Sequence, residues 1–308
     1  MLNFKILGCA NYLAKEVSTY GKKKRYHIDK DMLEIDMAEI VCKEALEDAD
    51  MKITDIDLII SACTLIAQPV PTNSVLLHER IAKGTNIPAF DINTSCSSFI
   101  TALLIATDFI KMNQYKNILI FTADHNSKGL NPKDKISFET FSDGATAFII
   151  TGTDENTGIE NYLHNTFSEG AHTAEVLGGG VHMKIPESKM LPLEEFYLKV
   201  QPLKFTAVQL KSIATCVKEF LDKNNINMDE IDLVIPQQTS FVLDVVMRLS
   251  KVPKDKYINV FDEVGNLGSS SIPYNLCELR KTNELKGKKI MLIGLGAGVN
   301  LIVMLLQF

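Results

Sequence analysis

The order of hydrophobic and polar positions repeats once along this chain. Residues 37–50 and 207–223 each set apolar side chains three and four residues apart with charges opposite, which predicts one amphipathic helix in each half. An acidic lead into a β-branched run follows each helix. It reads Asp55-Ile56-Asp57-Leu58-Ile59-Ile60 in the first half and Glu230-Ile231-Asp232-Leu233-Val234-Ile235 in the second, 175 residues later. Lys116-Asn117-Ile118-Leu119-Ile120 then matches Lys288-Lys289-Ile290-Met291-Leu292 at an offset of 172, and residues 144–150 match residues 298–304, both Gly-led and then apolar. Two copies of one strand–helix unit are expected.

Short β-rich runs alternating with helices of ten or more residues predict parallel strands joined by crossover helices, a layered α/β structure. Residues 118–121 and 290–293 are almost continuously apolar, which fits a sheet covered on both faces. The apolar stretch from Ile290 to Phe308 follows Lys288-Lys289 and is just long enough to span a bilayer. Its interruption by Gly294-Leu295-Gly296-Ala297-Gly298, and its place in the duplication, make it two strands around a turn and no membrane anchor. Residues 125–142 and 153–204 are the least periodic; they are expected to hold loops and a dimer or substrate-pocket insertion.

The 308 residues are 46% hydrophobic and 23% charged, a globular composition that excludes collagen, coiled-coil arrays and disordered tails. A net charge of −6 without any long Lys/Arg run removes the electrostatic footprint of a nucleic-acid binder. The six cysteines, at 9, 42, 63, 96, 216 and 277, contain no Cys-x-x-Cys and no zinc-like spacing. They read as reduced thiols of a cytoplasmic protein without a metal. No secretory signal pattern opens the chain.

Cys96 lies in Asp91-Ile92-Asn93-Thr94-Ser95-Cys96-Ser97-Ser98-Phe99, directly before a strongly apolar helix predicted over residues 97–112. A thiol at a helix N-terminus meets unpaired N–H groups and the positive end of the helix dipole, which favour thiolate and make Cys96 the candidate nucleophile. The other five cysteines read as small buried hydrophobes. The duplication sets Gly268 opposite Cys96, within Val264-Gly265-Asn266-Leu267-Gly268-Ser269-Ser270-Ser271. A pocket between the two helix starts would carry Cys96 from one half and polar groups from the other, with Asn266 as amide donor and Ile235-Pro236-Gln237-Gln238-Thr239-Ser240 ending a strand on the same side. Gly178-Gly179-Gly180 lacks the strand–Gly-Lys-Ser/Thr–helix context of a phosphate loop and reads as a surface loop.

Five motifs in order carry a resemblance. Thr94-Ser95-Cys96-Ser97-Ser98-Phe99, Phe141-Ser142-Asp143-Gly144-Ala145, Ile235-Pro236-Gln237-Gln238, Gly265-Asn266 with Ser271-Ile272-Pro273, and Gly294-Leu295-Gly296-Ala297-Gly298 resemble β-ketoacyl-acyl carrier protein synthase III over essentially the whole chain. The resemblance implies the thiolase fold, two duplicated halves (residues 1–165 and 166–308) forming a five-layered αβαβα sandwich, and a homodimer. It implies a Cys–His–Asn trio in which Cys96 accepts the acyl group, Asn266 is the asparagine and Gln237 stands where the histidine belongs. A glutamine amide can donate a hydrogen bond to a thioester oxygen, yet it cannot act as a base near neutral pH. None of His125, His164, His172 and His182 is assigned in its place. The oxyanion hole is expected from the backbone N–H groups of Cys96 and Ala297, the latter at a family glycine.

The same resemblance implies acyl-coenzyme A or acyl carrier protein as substrate, with no permanently bound cofactor. Family members that take coenzyme A stack its adenine on a tryptophan, and this chain has no Trp, leaving Arg25 or Tyr26 as a poorer platform. A carrier-protein donor gains weight accordingly. Arg248, Lys251, Lys254 and Lys256 are the candidate docking patch for an acidic carrier, with a solvated lysine-rich loop as the other reading. The expected activity is an acyltransferase that forms acyl-Cys96 and passes the acyl group to a malonyl thioester or another acceptor in specialised metabolism. The alternative is a non-catalytic or half-catalytic partner subunit, heterodimeric with a related ketosynthase.

Overall fold

A computed structural model describes residues 1–29, 31–178, 196–239 and 242–308. The first set of elements is β1 (Leu2–Leu13), the hairpin β2 (Glu16–Tyr20) and β3 (Lys23–His27), α1 (Glu34–Asp48), β4 (Leu58–Ser61), α2 (Asn73–Ile81), β5 (Ala89–Asp91), α3 (Ser98–Lys111), β6 (Asn117–Asp124), the short α4 (Lys135–Phe138) and β7 (Gly144–Gly152). The second is β8 (Gly158–Thr166), the short β9 (Ala174–Glu175) and β10 (Lys199–Val200), α5 (Pro202–Asn224), β11 (Leu233–Pro236), α6 (Leu243–Leu249), α7 (Ser271–Lys281), β12 (Lys289–Gly296) and β13 (Asn300–Gln307).

The strands run in the order β11-β12-β13-β8-β1-β7-β6-β4-β5, joined at the centre by a short seam where Leu2 and Asn3 face Ile159 and Gly158. Reading outward from that seam, both sides show the same order and sense. On one side β1, β7 and β6 are antiparallel neighbours and β4 is parallel to β6; on the other β8, β13 and β12 are antiparallel and β11 is parallel to β12. The counterpart of β5 is a single parallel bridge from Tyr257 to Val234. The duplication expected from the hydrophobic pattern is therefore the organising symmetry of the fold.

Layering follows from the two-residue period of strands covered on both faces. Ile118 and Ile120 of β6 and Ile290 and Leu292 of β12 point into one shared core that contains α3 (Phe99, Ile100, Leu103) and α7 (Ile272, Leu276). Leu119 and Phe121 point the other way, onto Met37, Val41 and Leu77 of α1 and α2. Met291 and Ile293 face α5 and α6 through Ile213, Phe220 and Val246. Two sheets thus enclose α3 and α7 and carry a helix pair on each outer face, the αβαβα sandwich. Because α3 lies in the middle layer it is buried nearly all round, which accounts for its apolar sequence.

Two boundaries differ from the sequence reading. α5 begins five residues earlier than expected, because Pro202 occupies its first turn, where a missing N–H costs nothing; it ends at Asn225 in the left-handed region, φ 53°. β8 lies within the stretch expected to be an insertion, and all but its last residue precede the 165/166 division, yet it pairs with β13 of the second sheet over eight residue pairs. The apolar C-terminal stretch forms the β12–β13 hairpin, and among the described residues no helix is long and apolar enough to cross a membrane.

Candidate active site

Cys96 sits in a turn fastened by its own serines. Ser97 Oγ donates to Thr94 O at 2.7 Å, Ser98 Oγ donates to Ser95 O at 2.6 Å, and Ser95 takes a left-handed φ of 58°. The end of β12 passes directly over this turn. A Cβ on Gly296 would stand 2.2 Å from the backbone Thr94 O, so glycine is required there by close approach, while Gly294 packs close to the end of the Ile100 side chain. Ala297 follows Gly296 immediately, half-buried. Among the described residues the N–H of Ala297 donates to no acceptor and that of Cys96 to none but its own sulfur, and each is one or two residues from the Gly296–Thr94 contact.

The thiol does not behave as the helix N-terminus alone would dictate. Burial, and after it the negative charge of Asp124, push Cys96 up to about 11. Desolvation of the thiolate and a nearby carboxylate oppose the helix end and outweigh it.

Asp124, the last residue of β6, was not singled out by the sequence. It is fully buried and its two oxygens join the halves. Oδ1 accepts the N–H groups of Thr64 and Leu65 at 2.8 and 3.0 Å, and Oδ2 accepts the N–H and hydroxyl of Ser269 at 2.6 and 2.7 Å. Burial raises its carboxyl above the usual range. Gly268, left-handed at φ 63°, leaves room for this carboxylate; a Cβ there would lie 2.4 Å from Oδ2. The available signal was an acid ending an otherwise apolar strand.

Asn266 is held through backbone and side chain. Its N–H donates to Thr140 O and its carbonyl accepts from Ser142 N–H, both at 2.9 Å. Its Oδ1 accepts the N–H of Gly268 at 3.0 Å, the Ser271 hydroxyl at 3.2 Å and Gln237 Nε2 at 3.1 Å. The backbone donor fixes which end of the amide is oxygen, so Nδ2 is the free end, with no acceptor among the described residues. Gln237 is fixed likewise: Nε2 donates to Gly268 O at 2.8 Å and to Asn266 Oδ1, while Oε1 is buried without a partner among the described residues. Both amide hydrogens of Gln237 are engaged within the protein. The expectation that Gln237 could donate to a substrate oxygen is therefore corrected, since that donor is taken by a backbone carbonyl and its neighbour.

The structure thus brings Gln237, Asn266 and Gly268 into direct contact, and Asp124, bonded to the neighbouring Ser269, acts on Cys96 through its charge. It places several other candidates elsewhere. Arg25 is fully buried, its Nε donating to Glu139 O at 2.8 Å and its guanidinium 4.6 Å from the Phe261 ring centre. It cannot stack on an adenine; it packs against Gly265 and supports the segment leading to Asn266. Lys256 leaves the docking patch, because Nζ donates to the carbonyls of Met228, Asp229 and Ile231 at 2.9–3.1 Å. Arg248, Lys251 and Lys254 are exposed. His125 lies buried 3.9 Å from Glu34, His164 bonds Asn300, and His172 bonds Glu175; none hydrogen-bonds Cys96, Gln237 or Asn266. His182, Gly179, Gly180 and Ser240 lie outside the described residues.

Comparison with known proteins gives the family and the fold. Residues 90–166 match the family 3-oxoacyl-[acyl-carrier-protein (ACP)] synthase III, and residues 221–308 match its C-terminal domain. A β-ketoacyl-[acyl-carrier-protein] synthase III of Clostridium perfringens is 32% identical over 281 residues, covering 91% of this chain and 86% of that protein. The crystal structure of 3-oxoacyl-[acyl-carrier-protein] synthase III from Aquifex aeolicus superposes with a TM-score of 0.87 at 26% identity, covering 99% of this chain and 100% of that one. OleA of Xanthomonas campestris, with bound lauric acid and lauroyl-CoA, shares the fold at a TM-score of 0.84 and 16% identity, covering 99% of both chains.

Proposed function

The chain belongs to the 3-oxoacyl-[acyl-carrier-protein] synthase III family, and from that premise we propose that it is an acyl-transferring condensing enzyme working through an acyl-Cys96 intermediate. Cys96 Sγ attacks the carbonyl carbon of an acyl thioester, whose oxyanion is received by the N–H groups of Cys96 and Ala297. The carbon–sulfur bond to the donor breaks, and the departing thiolate takes up the proton that Cys96 gives up. The observation that carries this reading is the pair of N–H groups, neither donating to another residue among those described, set beside the nucleophile by the Gly296–Thr94 contact.

In the transfer step Asn266 Nδ2 is the side-chain donor for the acceptor's oxygen, and Gln237 is a positioning residue that holds Asn266 and Gly268. Nothing in this arrangement serves as a base at the Gln237 position. That loss favours a role in specialised metabolism, with a malonyl thioester, an amine or an alcohol as acceptor. A carrier protein is the preferred donor, because Arg25 is buried and no Trp is present; six free thiols suit the cytoplasm. A homodimer would form on the edge of β5, which among the described residues has β4 on one side only, beside the exposed Ile66, Val70 and Val75.

Incubation with acyl-coenzyme A and acyl carrier protein donors, followed by peptide mass mapping, tests the reading. An acyl adduct on Cys96, absent in Cys96→Ser, is expected. No adduct with any donor would overturn it and leave the second reading, a partner subunit of a heteromeric ketosynthase, which the closed Gln237–Asn266 pair also suits.

A further inference from the structure

Away from the site just described, a second pair of groups from the two halves meets. Cys9 on β1 and Cys277 on α7 are hydrogen-bonded thiol to thiol, Sγ to Sγ 2.9 Å, across 268 residues of sequence. Cys9 is held in place from three sides. Its N–H donates to Asp48 Oδ2 at 2.9 Å, its sulfur faces Cys277, and Arg280, one helical turn beyond Cys277, sets Nη1 3.8 Å from that sulfur. Arg280 is itself anchored by Leu7 O at 2.8 Å and by Asp48, and its side chain is 26% exposed, so Cys9 is one guanidinium from solvent. The hydrogen bond shared with Cys277, with Arg280 adding to it, pulls Cys9 below the usual thiol range, whereas burial pushes Cys42, Cys63, Cys96 and Cys216 up.

We propose that Cys9 and Cys277 are an oxidation site that closes to a reversible disulfide, stapling β1 of the first half to α7 of the second when the protein meets hydrogen peroxide. The Cys9 thiolate attacks peroxide: an S–O bond forms, the O–O bond breaks, and the released hydroxide takes up the thiol proton as water. Cys277 sulfur then attacks Cys9 sulfur; the S–S bond forms, the S–O bond breaks, and a second water leaves with the Cys277 proton. One peroxide is reduced and two thiols are oxidised. A low-molecular-weight thiol reverses the bond by exchange. Because α7 continues the segment that carries Asn266, Gly268 and Ser269, the staple fastens that segment's helix to the opposite half. A crosslink closing so long a loop restricts the unfolded chain and raises the temperature of unfolding.

The full-length protein, in wild-type form and with Cys96→Ser to remove the nucleophile's own oxidation, is treated with hydrogen peroxide and mapped without reduction. The expected result is one linked pair of tryptic peptides, residues 6–15 with residues 257–280, loss of two titratable thiols, from six in wild type or five in Cys96→Ser, a higher melting temperature, and reversal of all three by dithiothreitol. In Cys277→Ser the reaction stops at the Cys9 sulfenic acid, which dimedone labels. Peptides that remain separate while Cys9 goes unmodified or proceeds to sulfinic acid would overturn the proposal, as would a linkage that forms only in denaturant.

Discussion

Gln237 Nε2 donates to Asn266 Oδ1 at 3.1 Å, so the two amides of the site face one another. Replacing Gln237 with leucine leaves Gly268 O without its donor in a buried place, an expected loss of about 1–3 kcal/mol in denaturant unfolding. Asn266 keeps its bonds to Gly268 N–H and Ser271, so acylation of Cys96 should persist while transfer to the acceptor falls about tenfold, the equivalent of one such interaction. Gln237→His returns a titratable base to this position. The expected outcome is a gain in decarboxylation of malonyl thioesters, followed as released carbon dioxide, with activity rising as pH passes through the ordinary histidine range.

Much of this was legible in the sequence, and the reasons for what was not are local. The offset between residues 55–60 and 230–235 exposed the duplication, and the unbroken apolar runs of β6 and β12 pointed to a sheet covered on both faces. β1 escaped notice because a register shift between Ile6 and Gly8 breaks its alternation, and β8 because only part of its length is buried. At the site, the identity of Gln237 was readable and its direction was not, since Gly268 O sets that direction. Asp124 showed only as an acid ending an apolar strand for a similar reason: three of its four partners are backbone N–H groups, at 64, 65 and 269, which carry no sequence signature.

The raised thiol of Cys96 gives a pH dependence of definite sign. Below about 11 the thiolate fraction climbs with pH, so alkylation by iodoacetamide and acylation by a thioester should both accelerate about tenfold per pH unit from neutrality upward, without a plateau near pH 8. Asp124→Asn removes the carboxylate that helps to hold the thiol up, which moves this profile toward lower pH. The same change sets an NH₂ group against the Ser269 N–H and costs about 1–3 kcal/mol of stability. Stopped alkylation across pH, together with a melting curve, separates the two effects.

Asp124 also gives the folding equilibrium a pH term. Its carboxyl is raised in the folded state, so its contribution is full below the unfolded carboxylate range and is lost as pH rises through the folded value. Wild type should therefore lose this increment on going from acidic toward neutral pH, and Asp124→Asn should not. Urea midpoints for both proteins across that interval check the sign.

Gly296→Ala tests the contact that sets the two free N–H groups. The added methyl would fall 2.2 Å from Thr94 O, a backbone atom that cannot rotate aside. Either β12 or the Cys96 turn must move, at a cost of about 1–3 kcal/mol. Acylation of Cys96 should fall by more than the stability loss explains. Ala297→Gly keeps the N–H and adds no bulk, and should leave the adduct yield unchanged.

The four basic residues at the end of α6 divide by what their charges touch. Lys256 serves three carbonyls ahead of β11, so Lys256→Met should lower stability by about 1–3 kcal/mol whatever the donor. Arg248, Lys251 and Lys254 are exposed, and exposed charges contribute little to folding. Reversing all three to glutamate should leave the melting temperature nearly unchanged. If an acidic carrier docks there, the reversal raises KM for acyl carrier protein several-fold at low salt, with the difference shrinking as salt is added, because screening removes the steering charge. Acyl-coenzyme A, which brings no carrier surface to this patch, should acylate Cys96 at the wild-type rate. An equal loss with both donors would place the carrier elsewhere on the molecule.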